Sequence, residues 1–258
     1  MNMPENDLSA LESLLKSHEF LYHVNLDRKT ADLVFDGRTL KALYEFMGRN
    51  SIDYIDFPIS SGKESVVFKA YSKGKPVVIK VYKLSTLRFA NIWKYIEGDY
   101  RFSKERIHRS NIVNIWAKKE FTNLKQLRKY GIPCPRPIAF HKNLLLMSYV
   151  GTKVAPAPMI KEVSIDFSEI YNQVVEDLGI MYRKAKLVHA DMSEYNLLYH
   201  RRKAYFVDLG QAVDRDHPAA DYFLERDLRN VVRFFSSKGI NCNFENLLKK
   251  VKGEPVSE

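Results

Sequence analysis

Only two cysteines occur in the 258 residues. Cys134 and Cys242 lie far apart and outside any CxxC spacing, which excludes a disulfide-stapled miniprotein and a thiolate metal knuckle. Both are expected to be reduced packing residues. Long apolar runs are missing as well: the longest, Leu144 to Val150, is too short to span a bilayer, so no membrane association is expected. At the N-terminus, MNMPENDLSALE sets acids ahead of the first apolar residues and has no basic region. No secretory signal is expected, and the protein should stay in the cytosol. What is present, 45% hydrophobic and 28% charged residues, is ordinary for a globular chain and excludes a fibre or a disordered tail. The length fits one domain in two lobes or two small domains.

Charge is uneven. Against 31 acidic residues stand 41 basic ones, a net +10 that favours polyanionic partners. Eleven of the basic residues and only two acidic ones fall between Arg101 and Lys142, so most of the excess sits in that stretch. It reads either as solvated helix faces or as a footprint on a phosphate backbone.

Along the chain, Ser9 and Glu12 make a capping box ahead of Leu11, Leu14, Leu15 and Leu21, and Leu40, Leu43, Tyr44 and Met47 repeat at helical spacing. Residues 1–50 therefore read as a helical extension. Residues 51–150 read as a small β-rich lobe. Within it SVVFKA, the turn SKGKP and VVIKVYK form a hairpin, and Val113, Trp116, Leu124 and Leu127 mark one helix that Gly131 and Pro133 end. LLLMSYVG reads as a buried strand. The polar stretch over about 84–110 has no clear period and reads as a flexible loop. Residues 151–258 read as a mainly helical lobe, with a long amphipathic helix from Phe167 to Met181, a loop LVHADMSEYN, a short hairpin and two closing helices stopped by Gly239 and Gly253. The predicted fold is α+β in two unequal lobes, with a ligand cleft expected between them.

HADMSEYN places Asp191 and Asn196 five residues apart on one loop, and Asp208 follows at a strand end. Hard oxygen donors that leave positions for phosphate and water are what nucleotide-bound magnesium requires. Asp191 would then face the nucleophile. The same spacing of His, Asp and Asn, followed by a metal aspartate, occurs in the catalytic loop of protein kinases, although the tripeptide here is DLG. Taken singly, each of these residues also suits a turn with local caps. Lys80 lies in the strand VVIKVYK, where an isolated lysine is usually a solvated edge residue. Glu120, however, falls on the apolar stripe of the lobe's helix, and a buried carboxylate needs a cation, for which Lys80 is the natural partner. In a kinase that lysine holds the α and β phosphates. Upstream, ISSGKES carries a single glycine, Gly62, among Ser60, Ser61, Lys63, Glu64 and Ser65. It reads as a plain turn or as a phosphate loop with hydroxyls in place of two glycines.

Together ISSGKES, VVIKVYK, HADMSEYN and VDLGQAV resemble the RIO family of atypical protein kinases over nearly the whole chain. HPAADYFLERDLRN and the absence of a basic winged-helix pattern resemble its first, archaeal-type branch. The resemblance implies a kinase-like fold without activation segment or peptide-docking helices. It implies serine/threonine phosphorylation or ATP hydrolysis with magnesium or manganese, autophosphorylation, and a part in small ribosomal subunit maturation. The implied catalytic set is Lys80, Glu120, Asp191, Asn196 and Asp208, with Asn196 and Asp208 on the metal and residues Ser60 to Ser65 over the phosphates. Ser148 to Val150 would hold adenine by backbone hydrogen bonds, with Ser148 and Tyr149 standing where an acidic hinge residue is expected. The partner implied for the basic 101–142 stretch is the pre-ribosomal small subunit or its RNA. An aspartyl phosphate is also associated with the family, so Asp208 is either a metal ligand alone or transiently phosphorylated.

After Asp208 only fifty residues remain, with no APE tripeptide, so no peptide platform is evident. Two other classes stay open: a small-molecule phosphotransferase with an HxDxxxxN loop, and a nonenzymatic RNA-binding scaffold that kept a nucleotide pocket. The short segment after Asp208 argues against the first, and the intact Lys80, Asp191, Asn196 and Asp208 argue against the second. The sequence leaves the oligomeric state undetermined.

Overall fold

Asp36 opens the first helix: its carboxylate accepts the Thr39 N–H at 2.8 Å, satisfying one of the free donors of the first turn. The computed structural model describes Ser9, Ser13 and residues 35–84, 92–108 and 110–255. Helix α1, Gly37–Arg49, carries the stripe read around Leu40 and Leu43, whereas the upstream stripe and its capping box fall almost wholly outside the described residues.

Five antiparallel strands follow in space as β1-β2-β3-β5-β4: β1 Ile52–Ser61, β2 Ser65–Ser72, β3 Lys75–Tyr82, β4 Pro137–His141 and β5 Leu144–Ser148. Side-chain alternation splits this sheet into two faces. Val66, Phe68, Ile79, Val81, Leu144 and Leu146 pack with Leu40, Leu43 and Phe46 of α1 in one buried cluster. Each such side chain contributes roughly 1.5–3 kcal/mol by leaving water. Val67 opposite Lys80, and Lys69 opposite Val78, occupy the other face. Between β2 and β3, Lys73 and Gly74 both take positive φ, 52° and 69°, as a tight type I′ hairpin requires. β1 escapes period-2 reading because its register shifts three times, two of them at Pro58.

The chain forms two compact units. The first comprises residues 1–91, 107–121 and 137–149, and the second 92–106, 122–136 and 150–258. Helix α2, Ile112–Lys129, thus gives its N-terminal part to one and its C-terminal part to the other. The second unit holds α3 Ser168–Arg183, the short strands β6 Leu187–Val188, β7 Leu197–His200, β8 Lys203–Phe206 and β9 Val213–Asp214, then α4 Ala220–Ser237 and α5 Phe244–Lys252. β6 pairs with β9 and β7 with β8. Phe167, Tyr171, Phe234 and Phe235 meet edge to face in its core, and Gly253 ends α5 at φ +82°.

In the stretch read as a flexible loop, residues 85–91 and 109 lie outside the described residues. Its remainder differs from that reading: Ile92, Tyr95, Ile96 and Phe102 are buried, and Tyr95 stacks on Phe223 at 5.3 Å. Polar neighbours masked these anchors in a window without a helical period. Among the described residues no helix is long and apolar enough to cross a membrane.

Candidate active site

In the first unit the sheet face opposite α1 presents Lys80. Its Nζ donates to both carboxylate oxygens of Glu120 at 3.0 and 2.8 Å, and their side chains are 5% and 1% exposed. The Tyr82 hydroxyl also donates to Glu120. Glu120 therefore interrupts the apolar stripe of α2 at no cost of an unpaired charge.

The segment Ser60 to Ser65 is the β1–β2 hairpin. Ser61 ends β1, Ser65 opens β2, and Gly62 to Glu64 form the exposed turn. The Gly62 N–H is occupied by the Ser65 carbonyl at 2.9 Å, so in this conformation that amide is not among those offered to a ligand. Lys83, buried, donates to the Gly62 carbonyl at 2.7 Å, and its own N–H binds Glu64 O at 2.9 Å. Lys83 thus anchors the turn from the end of β3, a role that its place in VYK did not reveal. Ser148 ends β5; the Val150 carbonyl is taken by the Ala157 N–H at 3.1 Å, which leaves its N–H as the group suited to a ligand.

In the second unit the β7–β8 hairpin brings distant residues together. Asn196 immediately precedes β7 and Val207 immediately follows β8, and the Val207 N–H donates to Asn196 O at 3.0 Å. Asp208 is thereby held next to Asn196. The Asn196 amide nitrogen donates to Asp191 O at 2.7 Å and to Asp191 Oδ2 at 3.2 Å, leaving Oδ1 as its metal-competent atom. Asp191 and Asn196 are partly buried and Asp208 is exposed. Among the described residues no cluster of three or more His, Cys, Asp or Glu stands ready to hold a metal. The Asn196 amide oxygen and the exposed Asp208 carboxylate are nevertheless hard oxygen donors that would suit Mg²⁺, which favours oxygen ligands and keeps places for phosphate and water. Asp208 is left-handed, φ +60°, as is Ala190 beside Asp191. Non-glycine residues there are strained and persist only where neighbours fix them.

Those neighbours are Asp227 and His189. The Asp227 carboxylate on α4 accepts the N–H groups of Ala190 at 2.7 Å and Met192 at 3.0 Å, flanking Asp191 on both sides. Arg226 donates to Ala190 O, and Asn230 to Met192 O at 3.0 Å. Burial pushes the Asp227 carboxyl up to about 7, against the pull of those two N–H groups. His189 lies within hydrogen-bonding reach of Val207 O, 3.2 Å from Nε2, and burial pushes its imidazole down to about 4. Sequence reading passed over Asp227, although a signal exists: it breaks the apolar stripe Phe223, Leu224, Leu228, Val231 as Glu120 breaks that of α2.

The basic 101–142 stretch is divided. Lys119 is fully buried and Arg101 is committed to Asp99, whereas Lys104, Arg106, Lys125, Arg128, Lys129, Arg136 and Lys142 are exposed. Cys134 and Cys242 are free, and burial raises the Cys134 thiol to about 12.

The model of the RIO domain family matches residues 66–247. RIO-type serine/threonine-protein kinase Rio1 of Thermoplasma acidophilum is 52% identical over 187 residues, covering 72% of this chain and 99% of that protein. Rio1 of Methanocaldococcus jannaschii is 38% identical over 248 residues, covering 95% and 83%. For serine/threonine-protein kinase rio1 of Schizosaccharomyces pombe the match is 39% over 223 residues, spanning 84% of this chain but 45% of that longer protein. The crystal structure of a Rio2 kinase–ADP/Mg²⁺–phosphoaspartate complex from Chaetomium thermophilum aligns with a TM-score of 0.64 at 22% identity, over 84% of this chain and 67% of that one. That likeness is one of fold: a kinase-like fold with a β-sheet lobe and a helical C-terminal region.

Proposed function

This chain belongs to the RIO family, and we propose that it is an ATP-dependent serine/threonine-protein kinase whose metal is magnesium or manganese. The observation that carries the reading is the arrangement of Asp191, Asn196 and Asp208 around one hairpin, with Asn196 bonded both to Asp191 and to Val207, the residue just before Asp208. Lys80, fixed by Glu120, holds the α and β phosphates. The exposed turn from Ser60 to Ser65 covers them with hydroxyls and the amides of Lys63 and Glu64. Backbone groups of Ser148 and Val150 take the adenine edge. Asn196 Oδ1 and the Asp208 carboxylate hold the metal, which when bound neutralises charge on the transferring phosphoryl group. Asp191, fixed on both flanks by Asp227, accepts the proton of the attacking hydroxyl as the new oxygen–phosphorus bond forms and the bond from the γ-phosphorus to the β,γ-bridging oxygen breaks, so that ADP leaves.

The finer reading adds the acceptor and the partner. Ser103 and Ser110 are exposed and serve as autophosphorylation sites. The exposed cations of the 101–142 stretch bind RNA of the pre-ribosomal small subunit, in the cytosol, a setting that suits two free cysteines. With no APE tripeptide to mark a peptide platform, hydrolysis competes with transfer, and Asp208 either ligates metal alone or takes the phosphoryl group itself, as the Rio2 phosphoaspartate complex illustrates for that protein.

The test is incubation with γ-labelled ATP and magnesium, for the wild type and Asp191→Asn, with RNA, a protein acceptor and a panel of small alcohols. Label in protein that Asp191→Asn abolishes supports the reading; transfer to a small alcohol, or no turnover at all, overturns it. Hydroxylamine releases label held as an acyl phosphate and spares phosphoserine, which separates the two roles of Asp208.

A further inference from the structure

Asp208 holds a left-handed backbone, φ +60°, and in the proposed reading its side chain also ligates the metal. On its N-terminal flank Val207 is fixed through its N–H to Asn196 O and its carbonyl to His189. Its C-terminal flank has a different clamp. Asn123 of α2, fully buried, donates from Nδ2 to Leu209 O at 2.8 Å and to Ala212 O at 3.0 Å. The Ala212 N–H closes the same turn onto Leu209 O at 3.2 Å. One amide thus ties both ends of the turn that begins right after the metal aspartate.

The amide has only one orientation available. Its Oδ1 accepts Arg101 Nη1 at 2.8 Å, and because guanidinium can only donate, the oxygen must face it and both Nδ2 hydrogens face the turn. Arg101 is itself held by a fork: Nε to Asp99 Oδ1 at 2.8 Å and Nη2 to Asp99 Oδ2 at 2.6 Å, with the Asp99 side chain completely buried. Bidentate charge-assisted pairs of this kind are strong and geometrically specific. Asp99 lies in the 92–106 segment, which Tyr95 on Phe223, and His217 Nε2, 2.7 Å from Glu97 O, moor to the same unit.

We propose that Asp99, Arg101 and Asn123 form a relay of positioning residues that fixes the backbone around Asp208 and so sets the metal affinity of the site. None of the three touches the metal or the nucleotide in this reading. Their effect runs through the Leu209–Ala212 turn, and the 92–106 segment becomes a handle on the metal site: a partner that draws Arg101 away from Asn123 weakens metal binding. The proposal rests on Asp208 being a metal ligand.

Two variants and one measurement on the unaltered chain test it. Arg101→Gln removes the fork but leaves Asn123 in place; Asn123→Leu removes the clamp itself. Binding of Mn²⁺ in the presence of ATP, followed by the manganese electron-spin signal, should weaken by about 10- to 100-fold in both, the usual effect of losing a group that orients a ligand. ATP binding without metal should stay within about twofold, because neither side chain is placed on nucleotide. Amide exchange at Leu209–Ala212 should quicken in both variants. In the wild type, the Arg101 and Ala212 amides should open as one unit, with protection within about threefold of each other. This last readout needs no substitution and stands if a variant fails to fold. Unchanged Mn²⁺ affinity in the variants, or wild-type Arg101 and Ala212 amides that exchange independently, overturns the relay. Mn²⁺ binding that is insensitive to Asp208→Asn overturns instead the metal reading on which it rests.

Discussion

The buried pair of Lys80 and Glu120 allows stability and catalysis to be separated by substitution. At about 3 Å and an effective dielectric constant near 20, their attraction is about 5 kcal/mol. Each ion, however, has left water at a cost of several kcal/mol, since the side chains are 5% and 1% exposed. The pair is therefore close to neutral as a whole and expensive to halve. Lys80→Met and Glu120→Leu should each lower the unfolding free energy by about 3–5 kcal/mol. The double variant should recover most of that loss, because no charge is left unpaired. It retains one debt: the Tyr82 hydroxyl, donated to Glu120 and buried, loses its acceptor at about 1–3 kcal/mol. Adding Tyr82→Phe should bring the triple variant to within about 1 kcal/mol of the wild type. Urea unfolding followed by circular dichroism, without nucleotide, reads these differences. Phosphoryl transfer should stay lost in the single, double and triple variants if, as proposed, Lys80 held in place by Glu120 binds the phosphates. Single variants that each cost less than about 1 kcal/mol and add in the double would show that the charges are not coupled as described.

Asp191→Asn should lower turnover by about 10²- to 10⁴-fold while changing ATP affinity little, as expected for loss of a general base; rapid-quench measurement of labelled transfer checks it. His189 is held neutral with its folded value near 4, so the unfolded chain binds the extra proton below about 6.5 and stability falls with pH from there to about 4, by about 2 kcal/mol at pH 5. Asp177 and Asp227, raised by burial to about 6 and 7, pull the opposite way in that range, so the check is the difference in urea stability between wild type and His189→Gln at pH 7 and 5. Affinity for structured RNA should fall steeply with salt and depend weakly on sequence, and Lys125→Glu with Arg128→Glu should flatten the slope; filter binding from low to physiological salt reads both.

What could be read without coordinates was what periodicity and motif spacing carry. The α1, α2, α3 and α4 stripes repeat at helical intervals, and the β2–β3 hairpin alternates around a lysine–glycine turn. β1 breaks its own alternation at Pro58, and β4 is a five-residue edge strand whose exposed Ile138 and Phe140 interrupt the usual polar face. Asp191, Asn196 and Asp208 stand out by spacing because residues carried on one loop and its following hairpin keep fixed distances along the chain. The groups that hold them did not, because their partners are remote: Asp227 is bonded to residues 37 and 35 positions away, and Asn123 to carbonyls 86 and 89 positions away. Yet Glu120, Asn123 and Asp227 share one mark visible in the sequence, a polar side chain on the inward stripe of an amphipathic helix. A buried polar group must find a partner or cost several kcal/mol. Such a residue therefore announces that something across the fold is being held, and in this chain those held groups are Lys80 and the backbones beside Asp208 and Asp191.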